Sequence, residues 1–368
     1  MTGKQKKLLI IGAIIFIAYI FVAARPVPVE TILSPKWFIS LETNYPTASP
    51  SENMTLTPFF LGSRPGGHFG FVDREGILTV NRTLRENTEV SISDEYWAEY
   101  DLVPRNIDVR TPLNRSVMRI EDPQGYPMFL DNRTFLIGSA QNSISAIDSN
   151  GRVSWSYDFA SIITTIDAAN GLVLAGLLDG TVEIINNEGR RVFFFEPGGS
   201  RHSVIYGCAI SEDGSIISIV SGIDLQRFLV LERHNASSAE AFDYRVIYHE
   251  FLEEGFRRPV HVSFIDSGNR IIFERQGALG IYDIRSRRSI KIPLEGEIAA
   301  AESLGSNRLF FLVTSQGDSR KNLVAIRLPG TVILSAPFRS RYTFLGRQDS
   351  TIIVGGGMTL AAFELEQR

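Results

Sequence analysis

Six arginines, Arg64, Arg201, Arg227, Arg257, Arg258 and Arg320, fall in short turn-rich segments between apolar runs. The same class of segment carries Asp179, Glu196, Asp224, Glu253, Glu254 and His202. Guanidinium groups pair bidentately with carboxylate and phosphate. Together these residues predict a mixed-charge face that docks a protein or an anionic ligand. Catalysis finds less support. His202, His249 and His261 fit no zinc spacing. Gly355-Gly356-Gly357 has no Lys-Ser/Thr after it, so it reads as a bulge or tight turn rather than a phosphate loop. No G-x-S-x-G elbow occurs. A carboxylate pair for glycoside hydrolysis stays open, because sequence spacing does not encode the distance between loop acids. Accordingly, no catalytic residue, metal ligand or cofactor is assigned, and the expected site is a binding face.

The elements that must position this face follow from a repeat. Asp73-Arg74-Glu75-Gly76, Pro112-Leu113-Asn114, Asp148-Ser149-Asn150-Gly151 and Asn187-Glu188-Gly189 are turns whose last residues lie 38, 37 and 38 positions apart. Each stands between short β-type runs. Strand repeats of about 40 residues are the mark of propeller blades. The clearest blade spans Tyr126–Tyr157 and the next spans Ile162–Phe195, each with four runs joined by Asx or Gly turns. The fold expected is all-β, an eight-bladed propeller of four-stranded sheets. Seven blades is the alternative, because Tyr96–Asp108 shows little alternation. Blade one is read as Trp37–Leu41, Leu56–Leu61, His68–Val72 and Leu78–Asn81. The last blade then lacks an outer strand, which Val27–Leu33 would supply, closing the ring and covering its edge. In this strand order, loops from second to third strand and loops between blades share one face. The charged segments above belong to that set.

Ala146-Ile147-Asp148-Ser149-Asn150-Gly151-Arg152-Val153-Ser154-Trp155 resembles the tryptophan-docking repeat of pyrroloquinoline-quinone-like and WD-repeat-like propellers. Asp148 and Gly151 would make the turn, and Trp155 would wedge between blades. Phe71–Val80 keeps Asp73 and Gly76, and Ile184–Phe193 keeps Gly189. The resemblance implies an eight-bladed ring and a bacterial envelope setting, nearest to the non-enzymatic scaffold branch. Quinoprotein dehydrogenases of that superfamily carry adjacent cysteines and a tryptophan floor. Here Cys208 is the one cysteine, and Trp37, Trp97 and Trp155 are spread over different blades. No quinone cofactor is expected.

The chain of 368 residues is 44% hydrophobic with a formal net charge of −4, so no global basic field invites nucleic acid. A lone cysteine excludes an intrachain disulfide. Residues 1–7 form a basic tail and residues 8–24 an uncharged run, read as a transmembrane signal anchor with the N-terminus inside. A cleaved signal peptide is the other reading. Residues 25–35 read as a proline-rich linker, and residues 36–368 as the propeller, held outside the inner membrane in the periplasm. Asn53, Asn81, Asn114, Asn132 and Asn235 lie in N-x-S/T triplets, explained by turn chemistry. The function expected is a protein-binding scaffold in an envelope assembly. A quinoprotein-like or carbohydrate-acting enzyme, and a glycan or peptidoglycan sensor stacking sugars on Phe69, Tyr96 or Phe256, are the alternatives.

Overall fold

The computed structural model describes residues 31–42, 54–63, 66–238, 241–304 and 308–367, together with Gln5, Phe16 and Tyr19. The chain divides into a large unit, Pro35–Glu364, and a small one, Met1–Ser34 with Leu365–Arg368. The large unit is built of strands. β1 (Thr31–Ser40) precedes a sheet of β2 (Thr57–Leu61), β3 (His68–Val72) and β4 (Leu78–Thr83). Next come β5 (Thr88–Ile92), β6 (Trp97–Asp101), β7 (Asn106–Arg110) and β8 (Ser116–Glu121). The third sheet is β9 (Gly125–Leu130), β10 (Arg133–Gly138), β11 (Ser143–Ile147) and β12 (Val153–Asp158). The fourth is β13 (Ile163–Ala169), β14 (Leu172–Leu177), β15 (Val182–Ile185) and β16 (Arg191–Phe195). The fifth is β17 (Ile205–Ile210), β18 (Ile216–Ser221), β19 (Arg227–Ser238) and β20 (Ala241–Phe251). The sixth is β21 (Val262–Ile265), β22 (Arg270–Arg275), β23 (Ala278–Asp283) and β24 (Arg288–Pro293). The seventh is β25 (Glu297–Leu304), β26 (Leu309–Gln316), β27 (Arg320–Arg327) and β28 (Thr331–Arg339). The eighth joins β29 (Thr343–Gln348), β30 (Thr351–Gly356) and β31 (Thr359–Gln367) to β1.

These are eight antiparallel blades, so the stretch Tyr96–Asp108 is a true part of blade two and the seven-blade alternative falls. The core lies between blades. Second strands such as β14 and β18 are buried at every residue, because neighbouring blades cover both faces. Fourth strands such as β12 are half-exposed at the rim. One cluster joins Ile184 and Val192 of blade four to Ile217 and Ile219 of blade five. Phe228 of blade five stacks on Phe273 of blade six, with ring centroids 3.8 Å apart.

The repeat turns have a common physical basis. Asp148 Oδ1 accepts from the N–H groups of Asn150 and Arg152, both at 2.9 Å, and Gly151 takes a positive φ of 79°. Asp73 does the same for Glu75 at 2.9 Å and Ile77 at 2.7 Å. Asn186, rather than Asn187, does so for Glu188 at 3.1 Å and Arg190 at 2.9 Å. In blade two the Thr111 hydroxyl receives the Arg115 N–H at 3.3 Å, and Asn114 takes the positive φ, 62°. The side-chain caps Asp73, Thr111, Asp148 and Asn186 thus keep the period. Trp155 packs on the next blade's turn, where a Cβ on Gly189 would come within 2.9 Å of the indole.

Two expectations are corrected. Trp37 is not in blade one. It belongs to β1, the outer strand of blade eight, where Leu41 N–H donates to the Met358 carbonyl at 2.8 Å and Phe38 meets Phe363 at 6.0 Å. The ring is closed by an N-terminal strand, as expected, but the strand lies later in the chain than Val27–Leu33. Trp37 makes this placement favourable. Its Nε1 donates to the Arg74 carbonyl at 2.8 Å, and its ring covers Gly76, so blade eight docks on blade one as blade three docks on blade four. Blade one then holds three strands among the described residues, and residues 43–53 lie outside them. The transmembrane helix over residues 8–24 is the second correction. Among the described residues no helix is long and apolar enough to cross a membrane. Apart from Phe16 and Tyr19, residues 8–24 lie outside the described residues. The run would in any case give roughly 25 Å of helix, short of a hydrocarbon core of roughly 30 Å.

Candidate functional site

Backbone hydrogen bonds tie the second-to-third-strand loops to the loops between blades. Leu102 N–H donates to Asn87 at 3.0 Å, Leu178 to Ile162 at 2.8 Å, Gly222 to Val204 at 3.0 Å and Leu252 to Gln226 at 2.8 Å. One face therefore carries Asp179, Glu196, Arg201, His202, Asp224, Arg227, Glu253, Glu254, Arg257, Arg258 and Arg320. Arg64 lies outside the described residues.

Much of this charge is engaged within the fold. Arg258 donates to Glu274 through Nη1 at 3.0 Å and Nη2 at 2.7 Å, and its Nε lies 3.0 Å from Glu297. Glu274 is buried, and it also accepts the N–H groups of His261 at 3.3 Å and Ile298 at 3.2 Å. One carboxylate thereby joins the loop before blade six to blade seven. Arg227 Nη2 donates to the carbonyls of Pro197 and Gly198. Buried Gln226 accepts the Phe256 N–H at 3.0 Å and donates to the carbonyls of Gly222 at 3.1 Å and Phe256 at 3.3 Å. Asp179 accepts from the N–H and hydroxyl of Thr181 at 3.0 and 2.7 Å, which shapes its own turn. Glu253 meets Lys291 at 2.6 Å, and His202 lies 3.4 Å from Asp224. Glu196, Arg201, Glu254, Arg257 and Arg320 remain exposed.

The same face is apolar over blades two to four. Leu102, Val103, Ile162 and Leu178 are exposed there, Val103 by 84%. They border a cavity of about 620 Å³ lined by Val90, Tyr100, Tyr126, Met128, Ile137 and Ile163, with Glu89 as the charged residue. Its hydroxyls already donate internally. Ser91 Oγ donates to Pro127 at 2.5 Å, Tyr126 to Leu102 at 3.1 Å, and Thr164 Oγ1 to Ile205 at 2.6 Å.

The family described as beta-propeller protein matches residues 1–368. The chain belongs to the β-propeller protein family. An uncharacterized protein of Treponema pallidum (strain Nichols) is 26% identical over 308 residues, covering 81% of this chain and 78% of that protein. Among solved structures, BamB from Moraxella catarrhalis is similar at a TM-score of 0.57 and 10% identity, over 90% of this chain and 100% of that one. The computationally designed Ika8 protein is similar at a TM-score of 0.62 and 16% identity, over 84% of this chain and 96% of that one. These likenesses to solved structures establish the fold.

Toward the opposite end of the propeller's axis lies a second cavity of about 800 Å³, lined by residues that include Asp131, Asp167, Glu212, His261, Asp266 and Arg347. These groups too are largely engaged. Asp167 accepts the N–H groups of Ala168 at 2.8 Å and Ile210 at 2.9 Å, and burial raises its pKa. Arg270 bridges Asp266 and Asp283. Burial lowers the pKa of His261, whose Nε2 lies 2.9 Å from the Ser263 hydroxyl. Burial also pushes the Glu302 carboxyl up to about 7, against Arg347 and with help from Asp94. The Cys208 thiol is pushed up to about 12 by burial, so it is no thiolate nucleophile near neutrality. Among the described residues no group of three or more His, Cys, Asp or Glu is placed to hold a metal ion.

The aromatic residues proposed for sugar stacking are packed. Phe69 is fully buried 5.6 Å from Trp97, Tyr96 lies 5.8 Å from Phe129, and Phe256 sits under the Arg258 guanidinium at 4.9 Å. Sequence reasoning missed the apolar rim and Glu89. A signal existed, because Leu102, Val103 and Leu178 are aliphatic residues set beside the turn-formers Pro104 and Asp179-Gly180. A turn has no packing reason to carry them.

Proposed function

We propose that this propeller is a protein-binding scaffold that works in the cell envelope. The observation that carries the reading is the exposed apolar rim Leu102, Val103, Ile162 and Leu178, which surrounds a preformed cavity on the loop face. Scattered apolar side chains are ordinary on a surface, but a set that borders one cavity is the pattern of an interaction site. Exposed Arg201 and Arg257 on the same face supply steering charge around the apolar part. The repeat at Ala146–Trp155, with its resemblance to envelope scaffolds, supports the setting. The test is capture of envelope proteins by the full chain, compared with a Val103→Asp, Leu178→Asp variant. Loss of captured proteins in a variant that keeps its melting temperature is the expected result. Equal capture by both proteins overturns the reading.

A further inference from the structure

Resting on the scaffold reading, we infer that the cavity at the loop face receives a lysine or arginine side chain of the partner, flanked by aliphatic residues. The argument is one of complementarity. Glu89 is the charged residue among those lining the cavity, and no cation lines it. The remaining lining is mostly apolar or aromatic, including Val90, Met128, Ile163, Tyr100 and Tyr126. An uncharged partner segment would take the Glu89 carboxylate out of water with nothing added to balance it, which is costly. An acidic segment would add repulsion to that cost. A cationic side chain is drawn to the carboxylate as water leaves, and its methylene stem lies along apolar wall. The tyrosine rings favour the same occupant through their π faces.

The polar inventory argues against a sugar. Ser91, Tyr126 and Thr164 already donate their hydroxyl protons to protein carbonyls. A saccharide would bring many hydroxyls into a wall with few donors left for them. About 620 Å³ also exceeds one side chain, so neighbouring aliphatic residues of the partner enter as well.

The test uses the full chain and three acetylated tetrapeptide amides: Leu-Lys-Val-Leu, the same peptide with norleucine for lysine, and the same with glutamate. Binding is followed by ligand-observed NMR. The lysine peptide is expected to bind about tenfold more tightly than the norleucine peptide, and the glutamate peptide more weakly still. Glu89→Gln should remove the preference for lysine over norleucine, and Met128→Trp, which fills the cavity, should weaken all three. No binding of the lysine peptide, equal binding of the lysine and norleucine peptides, or a lysine preference that survives Glu89→Gln, overturns the inference. Protein capture separates it from the broader reading. If Glu89→Gln captures as wild type does while Val103→Asp, Leu178→Asp captures nothing, the cationic-anchor inference falls and the scaffold reading stands. If both variants capture as wild type, the scaffold reading falls too.

Discussion

Two arcs of one face carry opposite kinds of surface. Over blades five to seven the loops are rich in charge, yet Arg227, Gln226, Arg258 and Glu274 are bonded to backbone and to one another. Over blades two to four the loops carry little of the assigned charge, yet Leu102, Val103, Ile162 and Leu178 stand in solvent beside a cavity. The difference teaches that charge density is a poor guide to a binding site. What matters is whether a group's bonding capacity is already taken. Long loops need internal fastening, because their backbone groups lack a ladder. Arginine and glutamate supply it between blades six and seven. Short loops need none, so an exposed aliphatic side chain there answers to something other than loop structure.

The comparison breaks most easily at Glu274. If the charged arc is internal fastening, Glu274→Ala strands a guanidinium and two backbone donors. It should then cost about 3–5 kcal/mol, read from the urea midpoint. A loss below about 1 kcal/mol would return Arg258 to the pool of docking residues. Gln226→Ala, which removes three hydrogen bonds around a buried side chain, should cost about 2–3 kcal/mol by the same measurement.

Glu302 sharpens the contrast with the axis beneath both arcs. Its pKa rises from 4.5 to about 7 on folding, chiefly through burial. The folded state therefore holds the proton more tightly than the unfolded chain. The stability this contributes is fully present below about 4.5, and is lost as pH rises through about 7. Glu302→Gln should match the pH profile of the wild type at low pH, and exceed its stability by about 2 kcal/mol at pH 8. A constant offset across this range would show that the carboxyl does not titrate as its burial requires. The smallest stability effect is expected at the apolar rim. Val103→Asp should move the urea midpoint by less than about 0.5 kcal/mol, because Val103 is 84% exposed. A larger loss would mean that the rim is fastening as well, and the two arcs would no longer differ.

Legibility varied with the range of the physics involved. The third-to-fourth-strand turns were readable because each is a contact within four residues, Asp148 to Arg152 or Asp73 to Ile77. A cap read from the wrong asparagine, Asn187 for Asn186, shifted nothing, since the positive-φ glycine fixes the turn. Trp37 was misplaced for the opposite reason. Its partners, the Met358 carbonyl near its strand and the Arg74 carbonyl on blade one, are distant in the chain, and β propensity is the same in either blade. The face assigned to Arg258 was correct, but its role was not legible. Glu274 lies 16 residues away on a strand, and no pattern marks an acid that will meet an arginine across a blade boundary.

The amino-acid order alone determined the period of the turns, the strand-rich blades and their count, and hence which loops share a face. All of these depend on local dihedral preference and on alternation. The tertiary structure alone decided which strand closes the ring, which charges cancel, and where apolar surface remains over a cavity. Those outcomes depend on distances between residues far apart in the chain. Packing sets such distances, and it records them in no local pattern.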